Sequence, residues 1–399
     1  MTRQVQDAYI VAATRTPIGR APRGALRRQR PDELLARTIT ALLAQAPGLD
    51  PAAIEDAIVG CAMPEGSQGL NVARIGVLLA GLPTSVGGVT VNRFCASGLT
   101  AVAMAADRIR VGEADVIIAA GTESMSQNPP MGINPSFSPQ IYARDENIGI
   151  AFGMGLTAEK VAEQWKVARE DQDAFALESH RRAIAAQDAG EFADEITPLD
   201  IVEKSADLAA GELRESRRTL ALDEGPRRDT SAEALARLKP VFAARGSVTA
   251  GNSSQTSDGA GALLVVSERA LKAHGLTPLA RFAAFSVRGV PPAIMGIGPK
   301  EAIPMALKQA GLSQDQMDWI ELNEAFAAQS LAVIRELGLD PARVNPLGGA
   351  IALGHPLGAT GAIRSATVVH ALRRRKLRYG MVTMCVGTGM GAAGIFERM

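Results

Sequence analysis

One succession of strand, glycine-rich turn and helix runs through this chain twice. In the first half, Gly48-Leu49, a spacer and strand-like Ile58-Val59 precede Val91-Asn92, a turn, a helix from Gly98 and a strand ending in Gly121-Thr122-Glu123. In the second, Gly311-Leu312 and a strand over residues 319–322 precede Val344-Asn345, a longer turn, a helix from Gly361 and a strand over residues 381–385 ending in Gly387-Thr388-Gly389. Strands alternating with helices predict an α/β fold of parallel sheets covered by helices, packed as two pseudosymmetric halves. Between the copies the alternation breaks down. Pro129, Pro130, Pro135 and Pro139 mark irregular loops, residues 157–165 and 169–186 read as helices, and residues 208–228 are polar and weakly patterned. The expected division is an N-terminal half over residues 1–120, completed by 249–275, an inserted loop domain over 121–248, and a C-terminal half over 276–399.

Within this frame residues 8–13 read as a buried strand, and Pro31-Asp32-Glu33 opens an amphipathic helix to about residue 46. Between them lie Arg15, Arg20, Arg23, Arg27, Arg28 and Arg30, a cluster that reads either as a phosphate-binding loop or as a solvated rim. Lys+Arg and Asp+Glu are equal at 42 each, so no net field draws nucleic acid or a membrane surface, and an anionic partner must be held locally. No secretory apolar segment precedes the first strand and no apolar run is long enough to cross a bilayer. A soluble cytoplasmic protein is expected, with a eukaryotic matrix location left open.

Cys61, Cys95 and Cys385 lie far apart, without the spacing of a disulfide framework or a zinc site, which fits a reducing compartment. Cys61 reads as a small buried hydrophobe. Cys95 stands at a strand-to-helix turn, where helix N–H groups stabilise a thiolate and lower its pKa; position alone fits a nucleophile or a structural cysteine.

The second-half turn, residues 348–361, holds five glycines, a proline and His355. So much glycine describes a backbone bent to aim one side chain. Pseudosymmetric packing brings the Cys95 and His355 turns together at helix N-termini, with Cys385 at the end of the last matched strand. Two thiols and an imidazole beside glycine-rich turns support covalent acyl chemistry, in which a thiolate attacks a carbonyl and the histidine takes its proton. Asn323-Glu324-Ala325-Phe326 ends the strand after Trp319, where a polar side chain either holds a water or an oxyanion, or caps a helix.

Four blocks resemble the active-site motifs of the thiolases: Asn92-Arg93-Phe94-Cys95-Ala96-Ser97-Gly98, Asn323-Glu324-Ala325-Phe326, residues 348–361 around His355, and Cys385-Val386-Gly387-Thr388-Gly389-Met390-Gly391. The resemblance covers essentially the whole chain and implies a duplicated αβαβα layered fold with an inserted loop domain. It also implies a mechanism. His355 activates Cys95, which attacks the 3-keto carbon of a 3-oxoacyl-CoA, and Cys385 protonates the departing acetyl-CoA enolate. Coenzyme A, deprotonated by Cys385, then takes the acyl group; the reverse direction is a condensation.

By similarity one oxyanion lies near His355 and a water held by Asn323, and the other faces the N–H groups of Cys95 and Gly387. Ser254, Met154, Met295 and Phe326 are implied to line the pantetheine and acyl channel, and Arg227 to lie near the nucleotide end. Coenzyme A is a co-substrate, no metal or permanently bound cofactor is implied, and a homodimer or homotetramer is expected. Gly153 departs from biosynthetic thiolases, which tend to carry His there, and Arg93-Phe94-Cys95-Ala96 looks more like the degradative 3-oxoacyl-CoA enzymes. The alternatives are a biosynthetic acetyl-CoA C-acetyltransferase and an inactive CoA- or lipid-binding protein of this fold.

Overall fold

A computed structural model describes residues 5–207 and 211–399 of the chain. The first half runs through β1 (Tyr9–Arg15), a short β2 (Gly19–Arg20), α1 (Pro31–Ala44), β3 (Asp56–Gly60), α2 (Val72–Leu79), β4 (Val89–Val91), α3 (Ser97–Arg110) and β5 (Val116–Ser124). An insertion follows, with α4 (Asp145–Ile148), α5 (Met154–Gln164), α6 (Arg169–Asp188), a hairpin of β6 (Leu199–Asp207) and β7 (Glu212–Leu220), and α7 (Ala232–Ala236). β8 (Ser257–Val266) and α8 (Glu268–His274) return to the first half. The second half comprises β9 (Ala280–Gly289), α9 (Gly298–Ala310), β10 (Trp319–Leu322), α10 (Ala327–Leu337), α11 (Ala350–Leu353), α12 (Leu357–Arg374), β11 (Tyr379–Val386) and β12 (Met390–Arg398).

Local signals account for several boundaries. Pro31 opens α1 where its missing N–H is not needed, and Asp32 and Glu33 meet the positive end of the helix dipole. The Asn71 side chain accepts the N–H of Arg74 and caps α2. The helix expected from Gly361 starts earlier, at Leu357, so His355 lies just outside its first turn. The stretch read as weakly patterned holds β7, paired with β6 from Leu199↔Leu220 to Asp207↔Glu212; residues 208–210 lie outside the described residues. Period-2 alternation fails there because β7 is exposed along nearly its whole length and has no apolar face to reveal.

The two halves share one strand order, which the duplication anticipates. The first half runs β1-β8-β5-β3-β4; the second runs β9-β12-β11-β10, continued by a parallel bridge from Ile320 to Val344. β1 pairs with β9 at Tyr9↔Arg281 and Ile10↔Ala280, which joins the halves into one ten-stranded sheet among the described residues. The sheet is not all parallel, contrary to the sequence expectation. β3 runs parallel to β4 and β5, and β10 to β11, but β5·β8, β8·β1, β11·β12 and β12·β9 are antiparallel. Gly387-Thr388-Gly389 alone joins β11 to β12, and a parallel crossover needs a dozen or more residues.

Three apolar clusters define five layers. One packs α1 and α2 on the outer face of the first-half strands (Ile39, Val77, Ile118, Leu264), and another packs α9 and α10 on the second (Ile303, Val333, Met381, Ile395). The third lies between the halves, where α3 and α12 meet (Leu99, Val102, Ala362, Val369). The central helices approach closely because Gly98 and Gly361 carry no Cβ. An added Cβ at Gly98 would lie 2.6 Å from Ala362 N, and one at Gly361 would lie 2.1 Å from Leu99 N. Glycine and alanine here exchange bulk for close helix contact.

Arg15 corrects both readings of the basic loop for its own position. It is buried, with Nε 2.6 Å from Glu195 and both terminal nitrogens on Asp223, and so ties β1 to the insertion. Arg27 pairs with Glu203 and Arg30 with Asp32 nearer the surface. Removing one partner of the buried Arg15 network would destabilise by about 3–5 kcal/mol. Among the described residues, no helix is long and apolar enough to cross a membrane.

Candidate active site

Cys95 lies in a 3-10 turn, residues Phe94–Ala96, that runs directly into α3. Two features hold that turn. Asn92 donates from Nδ2 to Ala62 O and accepts the Phe94 N–H on Oδ1, each at 2.8–2.9 Å, and Phe94 adopts a positive φ of 42°. Such a backbone conformation is strained for an aromatic residue and persists only where its surroundings fix it. Asn345, the matching asparagine of the second half, likewise donates to a strand-end carbonyl, Leu322 O, and has a φ of 46°.

Both α12 and β11 pack against the Cys95 turn. The backbone N–H groups of Gly387, from the turn after β11, and of Cys95 itself act on the Cys95 thiol. They favour the thiolate, but burial acts more strongly and pushes the thiol up to about 12. The expected fall in pKa at a helix N-terminus is therefore not the resting condition: the thiol is held protonated until a base takes the proton. Cys385 is fully buried, and its thiol is raised first by that burial and then by the neighbouring Cys95. Cys61 is also buried, but its sulfur faces Glu123 Oε1 at 3.9 Å.

His355 is buried in the loop between α11 and α12. Its N–H donates to Ser257 Oγ at 3.0 Å, Nδ1 lies 2.6 Å from Thr360 Oγ1, and Nε2 lies 3.3 Å from Asn323 Nδ2. Thr360 Oγ1 donates to Pro356 O at 3.1 Å and so accepts from Nδ1–H, leaving the lone pair on Nε2. Burial, helped by the charge of Arg364, pulls the imidazole pKa down to about 3, so it is neutral near pH 7. Asn323 Oδ1 is buried with no hydrogen-bond partner.

Cys385, Met295, Phe326, Ala158 and Val248 form one apolar cluster, with Met154 packed against it. Phe242 meets Phe326 edge-on, with centroids 6.1 Å apart. Ser254 lies beside this wall, its N–H bonded to Ala325 O at 2.9 Å. The structure thus groups Cys95 with Gly387, His355 with Asn323, and Cys385 with the three apolar channel residues. Arg227 stands apart: it is exposed, and its backbone N–H donates to His180 Nδ1 at 3.2 Å. A Cβ at Gly153 would meet nothing within 4 Å, so the space beside that backbone is open.

The chain matches the model of the thiolase N-terminal domain over residues 8–269 and that of the thiolase C-terminal domain over residues 276–398. The chain belongs to the thiolase family. Among curated relatives, the 3-ketoacyl-CoA thiolase of Bacillus subtilis (strain 168) is 48% identical, over 98% of this chain and 100% of the relative. The 3-oxoadipyl-CoA/3-oxo-5,6-dehydrosuberyl-CoA thiolase of Escherichia coli (strain K12) is 47% identical, over 99% of this chain and 100% of the relative. Among solved structures, human mitochondrial 3-ketoacyl-CoA thiolase superposes with a TM-score of 0.88 at 39% identity, covering 99% of each chain. The same human enzyme in complex with CoA gives 0.87 at 39% identity, covering 99% of this chain and 98% of that one.

Sequence reasoning missed four residues that support this thiolase site: Thr360, Ser257, Glu324 and Glu123. Thr360 carried a signal, a hydroxyl five positions after His355 within the glycine-rich stretch. Glu324 had been noted only as part of a motif; it is buried, accepting from Ser179 Oγ at 2.6 Å and Asn345 Nδ2 at 2.8 Å. Ser257 and Glu123 are distant in sequence from the residues they hold and gave no local sign.

Proposed function

We propose that this thiolase cleaves 3-oxoacyl-CoA with coenzyme A, acting as an acetyl-CoA C-acyltransferase of the degradative type. His355 Nε2 takes the Cys95 proton and the sulfur adds to C3 of the substrate. The C2–C3 bond breaks, its electron pair passes to the acetyl-CoA enolate, and Cys385 gives that carbon a proton. Acetyl-CoA leaves, and the shortened acyl group stays on Cys95. Coenzyme A then loses its thiol proton to Cys385 and attacks the acyl carbon, and Cys95 departs and recovers its proton from His355.

The observation that carries this reading is the pair of backbone N–H groups, of Gly387 and Cys95, that favour negative charge at the Cys95 sulfur. An oxygen on a carbon bonded to that sulfur lies within reach of the same donors, the arrangement an oxyanion needs. Asn323 Oδ1, buried and unpartnered, supports a water as donor for the other oxyanion. Met154, Met295 and Phe326 line the acyl and pantetheine channel, Ser254 lies beside the pantetheine, and Arg227, exposed on the rim, meets the nucleotide end. The open space at Gly153 supports substrates longer than acetoacetyl-CoA.

Residues 1–120 with 249–275, and 276–399, act as the two catalytic halves, and the loop domain over 121–248 sets chain-length preference. The free thiols Cys61, Cys95 and Cys385 support work in the reducing cytoplasm. The chain works as a homodimer or homotetramer, supported by β4, which ends the sheet with Val89 exposed on an open edge.

Incubation with a 3-oxoacyl-CoA in the absence of free coenzyme A should leave an acyl mass adduct on Cys95 that coenzyme A discharges and Cys95→Ala abolishes. An adduct on Cys61, or thiolysis that does not depend on coenzyme A, overturns the reading. Rates across a series of 3-oxoacyl-CoA chain lengths test the degradative assignment.

A further inference from the structure

Glu123 closes β5 and is fully buried, yet the reaction gives it no role. Its Oε2 accepts the N–H groups of Ala62 at 2.7 Å and Gly358 at 2.8 Å; its Oε1 accepts from Met63 N at 3.3 Å and from Gln68 Nε2. Ala62 and Gly358 belong to different halves. The Ala62 carbonyl takes the Asn92 amide, whose Oδ1 fixes the Phe94 N–H next to Cys95. Gly358 lies in the first turn of α12, three residues after His355. A single carboxylate therefore connects the nucleophile turn to the base turn, through one hydrogen-bonded step on the His355 side and three on the Cys95 side.

The packing around Gly358 leaves little slack in that connection. A Cβ on Gly358 would lie 2.5 Å from Ala62 N and 2.7 Å from Glu123 Oε2, while Cβ atoms on Gly60, Gly98 and Gly121 would each come within 2.9 Å of Gly358 O. This peptide is wedged between the halves, with its N–H on Glu123 and its carbonyl against three glycines. The donors to Glu123 are neutral: four amide N–H groups and, at 3.9 Å, the Cys61 thiol. The titratable groups facing it are Cys61, from the end of β3, and Cys95, from the turn before α3.

We propose that Glu123 is a positioning residue for acyl transfer: as a carboxylate it holds the Cys95 and His355 turns in register across the junction of the two halves. The proposal rests on the roles given above to Cys95 and His355. Its charge acts on Cys95 as well, because a buried anion nearby disfavours the thiolate. Burial leaves the Glu123 pKa raised above the ordinary carboxylate value, and the four amide donors lessen that rise.

The test is Glu123→Gln, which keeps the shape, removes the charge and sets an amide N–H2 against backbone donors. Two readouts should move: turnover falls while the Cys95 thiol becomes easier to ionise. Thiolysis kcat falls by about tenfold to a hundredfold with KM for the acyl-CoA within about twofold, as expected for misaligned reacting groups with an intact binding channel. The midpoint of Cys95 alkylation by iodoacetamide shifts to lower pH by about half a unit or more, because a negative charge has gone. A general loosening of the fold would raise KM and give no such shift. Equal kcat in variant and parent, or an alkylation midpoint unchanged or higher, overturns the proposal. Gln68→Met removes one donor and keeps the charge, so it should lower kcat by a smaller factor at unchanged KM without moving the alkylation midpoint down; if Glu123→Gln does not fold, an unchanged kcat in Gln68→Met overturns the proposal. A parent protein without coenzyme A-dependent thiolysis would instead overturn the assigned function.

Discussion

His355 Nδ1 donates to Thr360 Oγ1 at 2.6 Å, and that hydroxyl donates in turn to Pro356 O, so a threonine in the first turn of α12 sets which imidazole nitrogen keeps the lone pair. Thr360→Val keeps the shape and removes the acceptor. Thiolysis kcat should fall by about tenfold to a hundredfold, with stability lowered by about 1–3 kcal/mol for a buried unpaired donor. Thr360→Ser should recover most of both. Steady-state kinetics and thermal unfolding of the two variants check this.

Asn323 Nδ2 lies 3.3 Å from His355 Nε2, and the imidazole is held neutral with a pKa of about 3. Asn323→Asp places a negative charge at that distance and favours imidazolium. The base is then occupied by a proton near neutral pH, and the water-holding amide is lost. Turnover should fall by about a hundredfold to a thousandfold, and an NMR titration of His355 should show its pKa moved upward.

The two glycines of the β11–β12 turn should respond differently to a methyl group. A Cβ at Gly387 would meet the Phe94 ring at 3.6 Å and Met154 Sδ at 3.8 Å, ordinary contacts, whereas one at Gly389 would lie 2.2 Å from Val290 O at a φ of 88°. Gly387→Ala should leave stability within about 0.5 kcal/mol of the parent and raise KM for acyl-CoA by narrowing the gap beside Cys95. Gly389→Ala should lower stability by about 1–3 kcal/mol. Urea denaturation and KM measurements distinguish the two effects.

His180 connects acid stability to the loop that carries Arg227. Its Nδ1 accepts the Arg227 N–H, and burial, followed by the charge of Arg227, lowers its pKa to about 4 from 6.5. The folded pKa is the lower one, so between pH 6.5 and 4 the unfolded chain takes up a proton that the folded chain refuses, and stability falls as pH falls through that window. The slope is about 1.4 kcal/mol per pH unit for one such group. His180→Gln should flatten this part of the profile relative to the parent. Urea midpoints at pH 7 and pH 5 give the comparison.

The layered fold was legible because the repeat places the same cues in both halves, and β3, α3 and β10 fall where the pattern puts them. The antiparallel strands were not, since direction depends on which strand lies beside which, and periodicity along one segment carries no such information. His355, Cys95 and Cys385 were visible as reactive side chains in glycine-rich or helix-initiating contexts. Glu123 was not, because its four partners come from residues 62, 63, 68 and 358 and meet only in the folded chain. The Cys95 turn suggested a lowered pKa from local geometry alone, and burial, a property of the whole fold, reversed the sign.

The insertion leaves the sheet at Ser124 and re-enters beside it, where Ser124 faces Asp258 across β5 and β8. In the second half, the same pair of strands is joined by Gly387-Thr388-Gly389 alone. The insertion is thus a hairpin turn grown large, with both ends clamped in one ladder. Doubling the length of such a loop costs only about 0.6 kcal/mol in closure entropy. Its length has no bearing on strand register. A transplant of residues 125–256 from a relative joins the ladder at these two splice points, and the seams it must then match are side-chain contacts, Arg15 on Glu195 and Asp223 and Ser179 on Glu324, and not strand register.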